Sequence, residues 1–330
     1  METHQTPQPI PPPPGVINAI KTGMDVISSH LSILLLPLAL DSLLWFGPRL
    51  SARTIMTSMF DQVVALNVQN NLPVTDLLAN KDAFIEKLSQ FNLLSILRTF
   101  PVGISSLMSG KLPVANPLGA QSVIEVGSGG SLFGWFFLLT FIGWTLGGLY
   151  FNWVSSVTES REATFGSGRA VMQTLLFSMI LTLITFMVGI PTIFVLGIIS
   201  TISPGIMQAA MFVLALFSAW IIVPVFFAPH GIYLRGQNAF YSIYASLRLA
   251  RFTLPTSSMF VLAVFVISQG LNYLWAVPPD DSWMTLVGIA GHAFITTALL
   301  ASSFIYYRDM NVWLETVFER LKPGTAAPQT

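Results

Sequence analysis

The stretch AVMQTLLFSMILTLITFMVGIPTIFVLGIISTISPGIMQAAMFVLALFSAWIIVPVFFA, residues 170–228, runs for 59 residues without an Asp, Glu, Lys, Arg or His. At ~1.5 Å of rise per residue it is far longer than one helix needs to cross a ~30 Å hydrocarbon core. Only Ser203-Pro204-Gly205 interrupts it with turn chemistry. The stretch therefore reads as two membrane-crossing helices, about 171–200 and 205–228, joined by a tight turn. Gly189 with Pro191 predicts a kink in the first, and Pro224 predicts one near the end of the second.

The rest of the chain has the same character. Of its 330 residues, 53% are hydrophobic and 9% charged, against ~25% charged in a soluble domain. Most of such a surface must face lipid. Acidic and basic residues balance to zero, which leaves no electrostatic footprint for a nucleic-acid partner. With no Cys, the chain has no disulfides, thiolate metal sites or thiol nucleophiles.

Downstream of the decisive stretch, residues 229–255 are amphipathic. Phe240, Ile243, Tyr244 and Leu247 share one face, and Arg248 and Arg251 are placed to snorkel. Spans follow at about 256–276 and 283–307, joined by Pro278-Pro279-Asp280-Asp281. A last amphipathic helix carries Met310, Trp313, Leu314, Val317 and Leu321, and 323–330 reads as a disordered tail.

Upstream lies a short polar loop, 155–169, and a span at about 131–154 in which Gly143 and Gly147 form a small-xxx-small pair suited to close helix packing. Residues 50–130 form the one large hydrophilic section, expected to be an outer loop with helices at about 51–70 and 81–98. Within it, 91–109 is apolar but holds Arg98 and Pro101. A central Arg disfavours insertion by ~2.5–3.5 kcal/mol, so this segment reads as resting on the membrane. The first span, about 30–46, contains Pro37 and Asp41. Residues 15–28 form an interfacial amphipathic helix with Val16, Ile17, Ile20, Met24 and Ile27 on one face. Residues 1–14 are a disordered Pro-rich tail. A single membrane domain, 15–322, thus holds six spans. Nine of the fifteen basic residues fall on the side of the termini, so both termini are expected in the cytoplasm of a multi-pass protein of the cell membrane.

Four polar residues inside spans are the candidates for chemistry: Asp41, Gln269, Asn272 and His292. Gln269 and Asn272 share a helix face at i, i+3, and His292 lies ~14 Å in from the outer end of its span. Topology gives all four a similar depth, which suggests a shared polar cavity. The plainer account satisfies each locally, with Asp41 snorkelling or pairing with loop residues. Arg248, Arg251 and Arg308, at inner span ends, are candidate lipid-headgroup contacts, for which positive-inside anchoring is the plainer account. No catalytic motif is present: no His-Glu-x-x-His, no phosphate-binding Gly-Lys-Ser/Thr loop and no Gly-x-Ser-x-Gly. No cofactor or metal is expected.

Residues Leu247 to Arg251, the following span pair and Phe304-Ile305-Tyr306-Tyr307-Arg308-Asp309 resemble the C-terminal half of uncharacterised polytopic membrane proteins. Those are in turn similar to the membrane domain attached to some glycerophosphodiester phosphodiesterases. The resemblance implies a membrane-embedded helical module; no phosphodiesterase catalytic sequence accompanies it within these residues. The expected fold is an all-α polytopic membrane bundle. The leading functional expectation is a non-enzymatic role as scaffold, assembly partner or envelope-maintenance factor, with the bilayer and other membrane proteins as partners. The alternative is a transporter or permease subunit with a polar cavity in the outer half.

Overall fold

A computed structural model describes residues 11–159 and 166–321. Its helices, in chain order, are α1 (Val16–Ser29), α2 (Leu35–Phe46), α3 (Arg53–Gln69), α4 (Thr75–Ala79), α5 (Lys81–Ser89), α6 (Met108–Lys111), α7 (Gly129–Thr158), α8 (Ser167–Ile202), α9 (Pro204–Phe227), α10 (His230–Arg235), α11 (Ala239–Trp275) and α12 (Thr285–Leu321). Among the described residues, five stretches are long and apolar enough to cross a membrane: α7, α8, α9 with α10, α11 and α12. The pair α1 and Leu31–Phe46 passes the same test only jointly, and it bends by 90° at His30. The protein is an all-α membrane bundle. Of the tails expected at 1–14 and 323–330, only 11–14 lie within the described residues; there the Pro11 carbonyl accepts a 2.7 Å bond from Trp313 Nε1.

The decisive stretch folds as expected. Helix α8 ends at Ile202, Ser203 caps α9 by accepting from the Ile206 amide, and Pro204 takes the first helical position, where its missing N–H costs nothing. This turn and the α11–α12 connection lie at one end of the bundle, the turn end. Pro11 and the start of α11 lie at the other, the termini end.

The interfacial helices are not separate elements. Residues 239–255 continue into the span as one 37-residue helix, and 308–321 continue α12 in the same way. At ~55 Å each, both outrun a ~30 Å core. Small side chains explain the continuity of α11. Ala239, Ser242, Ser246, Ala250, Thr253 and Ser257 form a buried stripe at three- and four-residue spacing, and Ser242 and Ser246 donate to the carbonyls of Ala228 and Pro224. Most of the expected apolar face points outward instead; Phe240, Tyr244 and Leu247 are exposed, and only Ile243 of that face packs against the core.

Helix α1 turns most of its expected face inward: Ile27 is buried and Val16, Ile20 and Met24 pack against the core, with Ala19 and Gly23 joining the buried stripe, while Ile17 is exposed. A Cβ on Gly23 would run into the Ser302 side chain and the Ala298 carbonyl. Ala19-xxx-Gly23 therefore meets Ala298-xxx-Ser302, and two small-residue faces bring the backbones together. The Ser302 hydroxyl also reaches the Ile20 carbonyl at 3.4 Å.

Segment 91–109 departs most from expectation. It does not rest on the membrane; it is threaded into the bundle. A 3₁₀ turn, Leu93–Leu97, is capped by Asn92, whose Oδ1 accepts from the Leu94 and Leu50 amides. Residues 98–107 then run as irregular backbone against α7. Gly147 makes room for it: a Cβ there would lie 2.7 Å from the Gly103 Cα. Gly143 and Gly147 thus do permit a close approach, but to a loop rather than to a helix. Ser105 Oγ lies 2.6 Å from Thr296 Oγ1. Thr296 is ~16 Å along α12 from Thr285, so the segment dips about halfway through a ~30 Å core. It climbs back to Lys111, which pairs with Asp280 at 2.7 Å.

The rest of the hydrophilic section builds the turn end. Gln121 Nε2 donates to the Leu44 and Trp45 carbonyls and Asn116 Nδ2 to that of Trp45, satisfying the C-terminus of α2. Arg49–Ser51 pairs in parallel with Val123–Glu125. The expected helix at 81–98 stops at Ser89.

Candidate functional site

Helices α8 and α9 stand away from the bundle over their turn-end halves. Beneath them is a cavity of ≈ 850 Å³, walled by both helices, α11, α12, Phe151 of α7 and the threaded segment. Chain direction fixes its polarity. Along α12 the lining runs from His292 to Ser303, along α11 from Asn272 back to Val264, and along α9 from Ser218 to Phe226. Each pair proceeds from the turn end to the termini end. Arg98, Gln269, Asn272 and His292 therefore gather at the turn end, while the middle is mostly Leu, Ile and Val with the hydroxyls of Thr185, Ser218, Ser268 and Thr296.

Trp275 sets the relation of α11 to α12. Its indole lies over Gly291, where a Cβ would come within 2.7 Å of the ring. Asn272 is one turn before Trp275 and His292 is next to Gly291, so this contact brings both to the same rim. His292 is 5% exposed and its Nε2 has no hydrogen-bond partner. Arg98 is exposed; it donates to Ser109 Oγ at 3.2 Å. Among the described residues no carboxylate lies within ion-pair distance of Arg98. Asp41 and His292 both lie within electrostatic range of Arg98.

The opposite end is closed. His230 Nε2 bonds Ser303 Oγ at 2.7 Å, and its ring packs on Phe226, Phe304 and Tyr307. Behind it Phe260 stacks on Tyr306 at 4.2 Å between centroids. Much of Phe304-Ile305-Tyr306-Tyr307 is thus floor and core. The space is a pocket with a floor, not a continuous pore.

No protein-family model, curated protein or solved structure matches this chain. Function is therefore read from this geometry alone.

Asp41 stands apart from the other three polar candidates. It is fully buried and bound to the threaded segment, not to α11 or α12. Its Oδ1 accepts from Ser106 Oγ at 2.5 Å and from the Met108 amide at 3.0 Å, and its Oδ2 accepts from the Leu107 amide at 3.1 Å. A buried carboxylate and three buried donors satisfy one another. The headgroup candidates are largely engaged within the protein. Arg308 donates to the Thr158 carbonyl at 3.0 Å, capping α7, and to Asp309 at 2.9 Å. Arg248 lies over the Phe318 ring at 5.8 Å, and Arg251 lies 5.9 Å from that of Phe252. Among the described residues no His, Cys, Asp or Glu group is arranged to hold a metal ion.

Arg98 and His230 join the site although neither is among the sequence candidates. Arg98 carried a signal, as a charge inside an apolar stretch, but that signal reads equally as a reason to stay out of the membrane. His230 directly follows the uncharged stretch and Pro229, and so reads as a span end.

Proposed function

We propose that this is a non-enzymatic membrane protein that takes an amphiphile from the bilayer into the cavity beneath α8 and α9, as a carrier or the binding subunit of one. One observation carries the reading: a cavity of ≈ 850 Å³ whose charged and amide side chains collect at one end, the rest being apolar side chains with scattered hydroxyls and the His230 floor. Pockets of ~300–1,000 Å³ with few polar groups are of the size and character that bind drug-sized ligands. The closed floor favours uptake and release over free conduction. A lipid carrying a photoactivatable diazirine in its acyl chain, incorporated in nanodiscs with the full chain, tests it. Cross-links are expected on Val264, Leu299 and Leu300. Cross-links confined to outward residues such as Phe194 and Phe212 would overturn the reading.

A scaffold or assembly role is the second reading. It is favoured by the turn-end halves of α8 and α9, which leave apolar side chains uncovered all round. Its test is whether a defined membrane protein co-purifies in mild detergent and is lost on replacing several of these residues.

For orientation, the proposal places the termini end in the cytoplasm of the cell membrane. Arg235, Arg248, Arg251, Arg308 and Arg320 all belong to that end. Because the chain has no Cys, single cysteines report cleanly. Asn80→Cys should react with an impermeant maleimide in intact cells and Tyr241→Cys should not; the reverse pattern would invert the topology.

A further inference from the structure

The cavity rim carries charge of one sign. Arg98 is its charged group and offers only donors, Gln269 and Asn272 each offer amide N–H groups beside a carbonyl oxygen, and the His292 Nε2 is buried without a partner. Among the described residues no Asp or Glu lines the cavity. Among the described residues Arg98 has no ion-paired carboxylate, and the Asp41 carboxylate within reach of its charge is already bonded by Ser106 and the Leu107 and Met108 amides. Its remaining N–H groups are therefore open to an anion or water. The remainder of the space suits a hydrocarbon tail. Its walls extend ~16 Å along α12 from His292 to Ser303.

We propose that the ligand is an amphiphile with an anionic head, held at Arg98 with Gln269, Asn272 and His292, its tail lying toward the His230 floor. This rests on the amphiphile reading above and adds the class of head. The guanidinium presents a planar fork of donors to phosphate or carboxylate oxygens. The Gln269 and Asn272 amides and the His292 nitrogen complete the shell around the remaining oxygens. A phospholipid phosphate and a fatty-acid carboxylate share this chemistry.

The test uses delipidated full-length protein and native mass spectrometry, titrated separately with dioleoyl phosphatidylglycerol, dioleoylglycerol, oleate and oleyl alcohol. The wild type should bind at least one anionic member of each tail-matched pair at least tenfold more tightly than its neutral counterpart. Which pair shows the larger ratio identifies phosphate or carboxylate as the source of the head. Arg98→Gln should abolish that preference and keep binding of the neutral member. Arg98→Lys should restore part of it, and His292→Leu should reduce it about threefold while leaving the Arg98–Ser109 contact in place. Ser268→Trp, which fills the cavity, should remove binding of every probe.

Equal binding within both pairs, or an unchanged preference in folded Arg98→Gln, overturns the anionic-head proposal and leaves the cavity reading standing. Anionic binding that survives Ser268→Trp places the lipid elsewhere, for instance at Arg248 and Arg251, and overturns both. If Arg98→Gln does not fold, His292→Leu decides: an unchanged ratio rejects the site.

Discussion

Segment 98–107 and the turn-end half of α8 enter the same apolar slab under opposite conditions. The first is irregular and, past the exposed Arg98 and Phe100 at its entry, becomes enclosed: Val102, Ile104, Ser106 and Leu107 are buried. The second is regular and bare, with Phe194 69% exposed. A helix satisfies its own backbone, so α8 can meet lipid on every side. Irregular backbone cannot, and is stable at depth only where protein supplies the partners. Here Asp41 supplies several, Gly143 and Gly147 give the room, and Thr296 meets the tip. Apolarity marks what may enter the membrane. Backbone satisfaction decides what must be covered once inside.

Breaking the cover should have the largest effect. Asp41→Leu strands the Ser106 hydroxyl and the Leu107 and Met108 amides, each at ~1–3 kcal/mol. The expected outcome is loss of a cooperative thermal transition in detergent. Asp41→Asn keeps an acceptor for Ser106 and Met108 but turns an amide donor toward the Leu107 N–H, so its melting point should fall between Asp41→Leu and wild type. A wild-type transition for Asp41→Leu would mean that the segment does not depend on the carboxylate.

Gly147→Leu comes next. Its side chain would collide with the Gly103 backbone, 2.7 Å from the Cβ position, and overpacking costs ~1–3 kcal/mol. The melting point should drop clearly, and hydrogen exchange at residues 98–107 should rise before that of α11. Exchange rising uniformly would show α7, rather than the threaded segment, to be the element disturbed.

Gly23→Leu should act more locally. It wedges α1 from α12 at Ala298 and Ser302, away from the threaded segment. A single cysteine at Ala19, now buried, should become reactive to a thiol reagent while one at Val102 stays protected. Joint exposure of both would make α1 part of the cover.

Phe194→Ala marks the small end. Lipid tails replace the lost contacts, and surface changes of this kind stay within about ±0.5 kcal/mol. A drop in melting point comparable to that of Gly147→Leu would contradict the lipid-facing assignment and point to a partner seated on α8.

Much was legible in the residues. The uncharged stretch at 170–228 was readable as two helices and their turn, because a continuous apolar run of that length, without the alternation of a barrel strand, satisfies its backbone in lipid as helix. Pro204 after Ser203 marked the junction. Small residues at Gly143 and Gly147 marked a close approach, and Gln269, Asn272 and His292 were recognisable as polar groups at one depth. The partners were not legible. Nothing local to Asp41 points to Ser106, sixty-five positions away, and nothing in the apolar composition of 91–109 separates a surface segment from a threaded one.

What the sequence alone determined is which segments are long and apolar enough to cross a membrane as helices, from α7 to α12, since hydrophobic length and helix rise act along the chain. The expected span at 30–46 reaches that length only jointly with α1, across a 90° bend. What only the tertiary structure decided is which faces those helices turn inward. The stripe on α11 is Ala, Ser and Thr rather than Phe and Tyr, because in lipid large apolar side chains gain nothing by hiding and small ones let backbones touch. The cavity belongs to this second class. It exists because α8 and α9 part from the bundle while Trp275 seats on Gly291, and that separation is a property of packing between helices, not of any one of them.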